Sequence, residues 1–220
     1  MLLKGLSSQI PWMPIAVAVG AIICTEVICI AKKHSRIKKK TEEVIDVIIF
    51  NENTRSQDFP TSAMESMISY INQAQYSIDL AMYTFTNLEM FQALMEAHMR
   101  GVRLRIVTDL VMMTSTLTKM IDFKNAGFDI RCPSSKVMMH HKFVLIDAPK
   151  AANDISLQRT SNKLKTSTYR SLLLSGSVNW TNQGFHGNWE NCIVMSQNDN
   201  RVIIAYATEF ERMWSTFPTV

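Results

Sequence analysis

The stretch SIDLAMYTFTNLEMFQALMEAHMRGVRLRIVTD, Ser77–Asp109, decides the fold class. Apolar residues alternate through Ser77–Thr84, the period of a strand with two distinct faces. The spacing then changes. Leu88, Phe91, Leu94 and Met95 recur at the interval of one helix face, so Leu88–Arg100 is predicted to be a helix that Gly101 stops. Val102–Thr108 returns to a strand pattern. Strand, helix and strand in immediate succession form the repeating unit of an α/β sheet clad in helices.

The same alternation extends in both directions. Val44–Phe50 reads as a strand, and Thr61–Gln75 as an amphipathic helix opened by Pro60 and Thr61. Downstream, Ser115–Asn125 reads as a helix ended by Gly127. Further strands are expected at Phe128–Arg131, Lys142–Asp147, Ser171–Leu174 and Glu190–Met195. Val202–Phe217 closes the chain as a helix, with Ile204, Tyr206, Phe210 and Trp214 on related faces. The expectation is an α/β/α sandwich. Residues 148–170 are rich in Ser, Thr and Lys and read as a long polar surface loop. No internal repeat is visible.

At 220 residues the chain suits one domain plus an appendage. Its net charge of +4 is unevenly spread. Residues 1–40 hold seven of the 23 Lys and Arg but only one of the 19 Asp and Glu, which leaves 16 basic against 18 acidic residues in 41–220. The bulk field of the folded part therefore gives nucleic-acid binding no support, although a local basic groove stays open. After a short tail, 1–9, the 22 residues Ile10–Ala31 are apolar apart from Thr25 and Glu26. As a helix this run spans about 33 Å, enough for a bilayer core. Positive charge follows the run instead of preceding it, so 10–31 is expected to be an uncleaved transmembrane anchor and 32–42 a basic juxtamembrane linker. That places a catalytic domain, 43–220, in the cytosol. Cys24, Cys29, Cys132 and Cys192 form no CxxC or Cys/His cluster, so neither a zinc site nor a secreted disulfide framework is read.

The chemistry concentrates in two short runs. Met139-His140-His141-Lys142-Phe143-Val144-Leu145-Ile146-Asp147 contains the chain's one His-x-Lys. In a strand, His140 and Lys142 share a face and His141 takes the other. Gly176-Ser177-Val178-Asn179-Trp180-Thr181 supplies a second such pair, Ser177 and Asn179. Together they offer a nucleophile, a point cation and neutral donors, the requirements of phosphoryl transfer.

His140-x-Lys142-x4-Asp147, followed by the Ser177/Asn179 run and Glu190-Asn191, resembles the phospholipase D superfamily. With one motif and an N-terminal anchor, the chain looks most like the Zucchini/mitochondrial phospholipase D branch over roughly residues 43–217. The resemblance implies that His140 attacks phosphorus to form a phosphohistidine, while His140 of a second copy protonates the leaving oxygen. One motif per chain therefore implies a homodimer. Lys142, Ser177 and Asn179 would hold the phosphate oxygens, and Glu190 would orient the imidazole. Asp147, an odd number of residues from His140, suits a supporting role within the catalytic motif. The chemistry needs no metal and no cofactor. The zinc insert of some relatives is not carried over, because Glu52–Met67 holds neither Cys nor His.

The implied activity is endonucleolytic cleavage of single-stranded RNA in piRNA biogenesis. The place would be the mitochondrial outer membrane, with a single pass and the catalytic domain facing the cytosol. Two alternatives remain open: hydrolysis of cardiolipin, an anionic lipid, to phosphatidic acid, and a non-catalytic mitochondrial scaffold.

Overall fold

A computed structural model of the chain describes residues 44–51, 61–134, 137–159, 169–196 and 201–220. Seven strands form one mixed sheet: β1 (Val44–Phe50), β2 (Ser77–Met82), β3 (Arg103–Val107), β4 (Ile130–Arg131), β5 (Lys142–Ile146), β6 (Leu172–Gly176) and β7 (Glu190–Ser196). Their order is β1-β7-β6-β5-β2-β3-β4, with β2, β3 and β4 parallel to one another and the remaining neighbours antiparallel. Central β2 is buried along its whole length, as a strand covered on both faces must be. Edge strand β1 alternates at its end, with Ile48 and Phe50 buried while Val47 and Ile49 stay exposed.

Helices α1 (Ser62–Ile71) and α2 (Leu88–Met99) cover one face. Each has a side-chain N-cap: Thr61 Oγ1 accepts the Met64 N–H at 3.3 Å, and Asn87 Oδ1 accepts the Met90 N–H at 2.9 Å. Their Met64, Met67 and Leu94 join Ile78, Leu80, Ile106, Val144 and Leu174 of the sheet in the larger core. Three short helices follow: α3 (Leu110–Met113), α4 (Met120–Asn125) and, past the sheet's fifth strand, α5 (Pro149–Arg159). After α6 (Asn182–His186), the long helix α7 (Arg201–Thr216) covers the opposite face. There Ile203, Phe210 and Met213 pack on Ala81, Val107, Phe143, Leu145 and Leu173. Helices thus lie on both faces of one sheet, as the alternation of patterns required.

Arg105 locks α7 to the sheet. Its guanidinium pairs twice with Asp79, at 2.7 and 2.8 Å, and reaches Glu211 at 2.6 Å, while lying over the rings of Phe210 and Trp214. Burial opposes that charge, but the hydrogen bonds to Asp79 and Glu211 outweigh it and hold the guanidinium above its ordinary pKa.

Several expectations need correction. The polar segment 148–170 is not simply a loop: Pro149–Arg159 is helical, with Ala151 and Ala152 buried and Tyr169 bonded to the Pro149 carbonyl and Asn153 side chain. Residues 160–168 lie outside the described set. The helix expected over Ser115–Asn125 starts only at Met120, because Leu117 takes a left-handed φ of 63°. The apolar run 10–31, read as an anchor, and the basic linker 32–42 also lie outside the described residues. Among those described, no helix is long and apolar enough to cross a membrane.

Candidate active site

The strand registers gather the expected residues at one edge of the sheet. Lys142 opens β5 opposite Met82, the last residue of β2. Gly176 closes β6 opposite Cys192, so Ser177 and Asn179 emerge at that same edge, and Glu190 opens β7 there. Val144 and Ile146 face the larger core, which puts Lys142 on that face by alternation. His141 turns the other way. It stacks edge-on against Phe143 with centroids 5.4 Å apart, and its Nε2 lies 3.7 Å from Glu209 of α7.

His140 is exposed, and no hydrogen bond to its imidazole occurs among the described residues. Its ring centroid lies 4.6 Å from that of Tyr83. Lys142 Nζ donates to the His140 carbonyl at 2.9 Å and sits 5.1 Å from the Tyr83 ring centroid. Burial pushes the Lys142 pKa down, and the nearby negative charge of Glu190 opposes the change. Asn179 Oδ1 accepts the Thr84 N–H at 3.3 Å, which leaves the amide NH2 to donate to a ligand. Ser177 Oγ accepts the Asn191 N–H at 3.1 Å, so its hydroxyl proton is available to a phosphate oxygen.

The turn that presents Asn179 is pinned from both sides. Trp180, 1% exposed, donates its N–H to the Thr84 carbonyl, while its own carbonyl accepts the N–H groups of Thr86 and Asn87. Thr181 then caps α6 through the Gly184 N–H at 2.9 Å. The two acidic residues singled out in the sequence take these places. Glu190 accepts from Asn188 Nδ2 at 3.0 Å, and its charge acts on Lys142. Asp147 lies at the far end of β5, buried, where its carboxylate accepts the N–H groups of Gln75, Tyr76 and Ser77 at 2.7–2.9 Å. It braces the sheet and does not approach the phosphate-facing edge.

The sequence reading missed Tyr83 and Thr84, the two residues that follow β2. Their signal was position alone: a strand end that borders both motif runs. A cavity of about 480 Å3 also opens beside His140, lined by His141, Glu209, Arg212, Val137, Met138 and Phe217 among others. Cys132 and Cys192 are buried, and burial pushes both thiols up to about 12, so neither serves as a nucleophile. Among the described residues no cluster of three or more His, Cys, Asp or Glu could hold a metal ion.

Comparison with known proteins agrees with this geometry. Residues 67–214 match the family described as "Cardiolipin synthase, PLD-like domain". The chain belongs to the phospholipase D superfamily. Within it, the chain is 34% identical to the mitochondrial cardiolipin hydrolase of Drosophila melanogaster, over 92% of its own length and 88% of that protein. It is 30% identical to the mitochondrial cardiolipin hydrolase of Xenopus laevis, over 71% of its length and 63% of the relative's. The fold is similar to that of the phospholipase D family member Nuc from Salmonella typhimurium, with a TM-score of 0.59, 21% identity and coverage of 80% of this chain and 97% of that one. This phospholipase D-type hydrolase thus sits in the mitochondrial cardiolipin hydrolase (Zucchini) group.

Proposed function

We propose that the chain is a membrane-anchored, homodimeric phosphodiesterase acting through a phosphohistidine at His140. The observation that carries this reading is the convergence of His140, Lys142, Ser177 and Asn179 on one sheet edge, with only one nucleophile per chain. The neutral imidazole of one copy attacks phosphorus, and the P–O bond to the leaving group breaks. The protonated imidazole of the second copy donates to the departing oxygen, then takes a proton from the water that hydrolyses the phosphohistidine. Lys142, Asn179 and Ser177 offer hydrogen-bond donors to the phosphate oxygens. Because water completes the reaction, RNA cleavage leaves a linear phosphomonoester in place of a 2′,3′-cyclic phosphate; departure of the 3′-oxygen, protonated by the second imidazole, keeps that phosphate on the 5′ end.

Single-stranded RNA is the first substrate reading, with piRNA maturation at the cytosolic side of the mitochondrial outer membrane as its setting. The cavity beside His140 supports it. His141 and Arg212 line one part, and the Phe217 ring offers a flat apolar contact, a mixture suited to a nucleoside. Cardiolipin is the second reading. Its support is a set of exposed apolar side chains at the same edge, Val111, Leu117, Val137, Met138 and Trp189. The names of the relatives support it too. The intact His140/Lys142/Asn179 set argues against a purely scaffolding role.

The test incubates the purified full chain in EDTA with labelled single-stranded RNA and with cardiolipin vesicles, beside His140→Ala. RNA cleavage that His140→Ala abolishes supports the first reading. Cardiolipin turnover without RNA cleavage replaces it with the second. Activity retained by the variant, or requiring added metal, overturns the phosphohistidine mechanism.

A further inference from the structure

We propose that Tyr83 is a positioning residue of this site, its ring holding the His140 imidazole and the Lys142 ammonium in the mutual arrangement that transfer requires. The proposal rests on the phosphohistidine reading above. The Tyr83 side chain touches both motif groups: the imidazole centroid lies 4.6 Å away at a 57° tilt, and the lysine Nζ lies 5.1 Å from the ring centroid. The contact geometry is that of a tilted aromatic pair on one side and a cation–π contact on the other.

The ring's own position is fixed by backbone bonds. Its N–H donates to the His141 carbonyl at 3.0 Å, and its carbonyl accepts from Thr108 Oγ1 at 3.3 Å. The next residue, Thr84, holds Asn179 through its N–H. Two consecutive residues past β2 therefore register both halves of the phosphate-binding set against each other. The tilted ring contact is the one aromatic contact the imidazole makes among the described residues, and its nitrogens have no hydrogen-bond partner there.

The groups facing Lys142 are His140 from the preceding loop, Tyr83 from the β2 extension and Glu190 from β7. The ring and the Glu190 carboxylate both favour the charged ammonium that partial burial disfavours. Replacing the ring by an aliphatic group of comparable bulk keeps the local packing and removes the ring's share.

The test compares the full chain with Tyr83→Leu and Tyr83→Phe. It measures hydrolysis of bis(4-nitrophenyl) phosphate across pH, NMR titration of the His140 and Lys142 side chains, and thermal unfolding as a control for folding. Tyr83→Leu is expected to lose at least about tenfold in kcat with little change in KM, the cost of a misplaced nucleophile. Its alkaline limb and its Lys142 titration should both move to lower pH. Tyr83→Phe keeps the ring and should recover most of the loss. Wild-type kcat and an unmoved Lys142 titration in Tyr83→Leu overturn the proposal. So does a Tyr83→Phe variant as impaired as Tyr83→Leu, which would assign the effect to the hydroxyl. If the wild-type chain hydrolyses no diester, the functional reading fails, and the two NMR titrations alone still decide the role of Tyr83.

Discussion

Asp147 and Ser77 hold each other twice: the Asp147 carboxylate accepts the Ser77 N–H at 2.9 Å, and the Asp147 N–H donates to the Ser77 carbonyl at 2.8 Å. With Gln75 and Tyr76 also donating to it, this carboxylate satisfies three consecutive backbone groups where the chain enters β2. Asp147 itself adopts a left-handed φ of 49°, which Asp and Asn tolerate better than other side-chain-bearing residues. Asp147→Ala should therefore destabilise the fold by about 3 kcal/mol, the rough cost of stranding buried donors. Asp147→Asn, which keeps an acceptor and the conformation, should cost less. Thermal unfolding measures both. The rate per folded molecule should stay within a few-fold of wild type, since Asp147 is far along β5 from His140.

Gly184 tests whether the Asn179 turn matters for chemistry. A Cβ at this position would stand 2.3 Å from the Asn179 carbonyl oxygen, so the turn must move to admit it. Gly184→Ala should cost about 1–3 kcal/mol through overpacking and reduce kcat more than its stability loss explains. Steady-state kinetics below the unfolding transition separates the two effects.

Lys142 gives the site a pH dependence with a definite sign. A lowered lysine pKa means that the ammonium sheds its proton at lower pH than an ordinary lysine, so activity should fall early on the alkaline side. Burial causes the shift, and Glu190 opposes it. Glu190→Gln removes the opposing charge and should move the alkaline limb to still lower pH. A kcat/KM profile for the two proteins shows the direction directly.

The Arg105 network should carry acid-sensitive stability. Arg105 holds the Glu211 carboxyl below the ordinary glutamate range. A depressed acid stabilises the fold above its unfolded pKa, and that contribution is lost as pH falls through the folded value. Arg105→Met leaves Asp79, which is 3% exposed, with only the longer 4.0 Å contact to Arg103, at a cost of about 3 kcal/mol. The same change should flatten the Glu211-linked part of the acid dependence, as read from unfolding midpoints across descending pH.

The strand–helix alternation was legible because its elements are strongly patterned. Val44–Phe50 has the same limits in sequence and structure, and Leu88–Met99 ends one residue before the limit the sequence suggests. Pro149–Arg159 was not legible, since PKAANDISLQR offers no apolar stripe to announce a helix. Nor was Asn182–His186, whose single turn depends on the Thr181 cap. The His140/Lys142 and Ser177/Asn179 pairs could be read from spacing, because residues two apart share a strand face. Glu190 was placed at the right edge, but its action on Lys142 across β6 depends on strand order, a tertiary fact with no local signature. Tyr83 was invisible for a related reason. An aromatic residue after a strand gives no sign of which side chains will close over it.

The central claim is that one chain carries half a site. Mixing wild-type and His140→Ala chains under conditions that exchange subunits tests it most directly. If each active site needs both imidazoles, only wild-type homodimers turn over, and an equal mixture retains about a quarter of the undiluted activity. Activity that falls in simple proportion to the wild-type fraction, to about half at that point, would show that each chain works alone and would contradict the account.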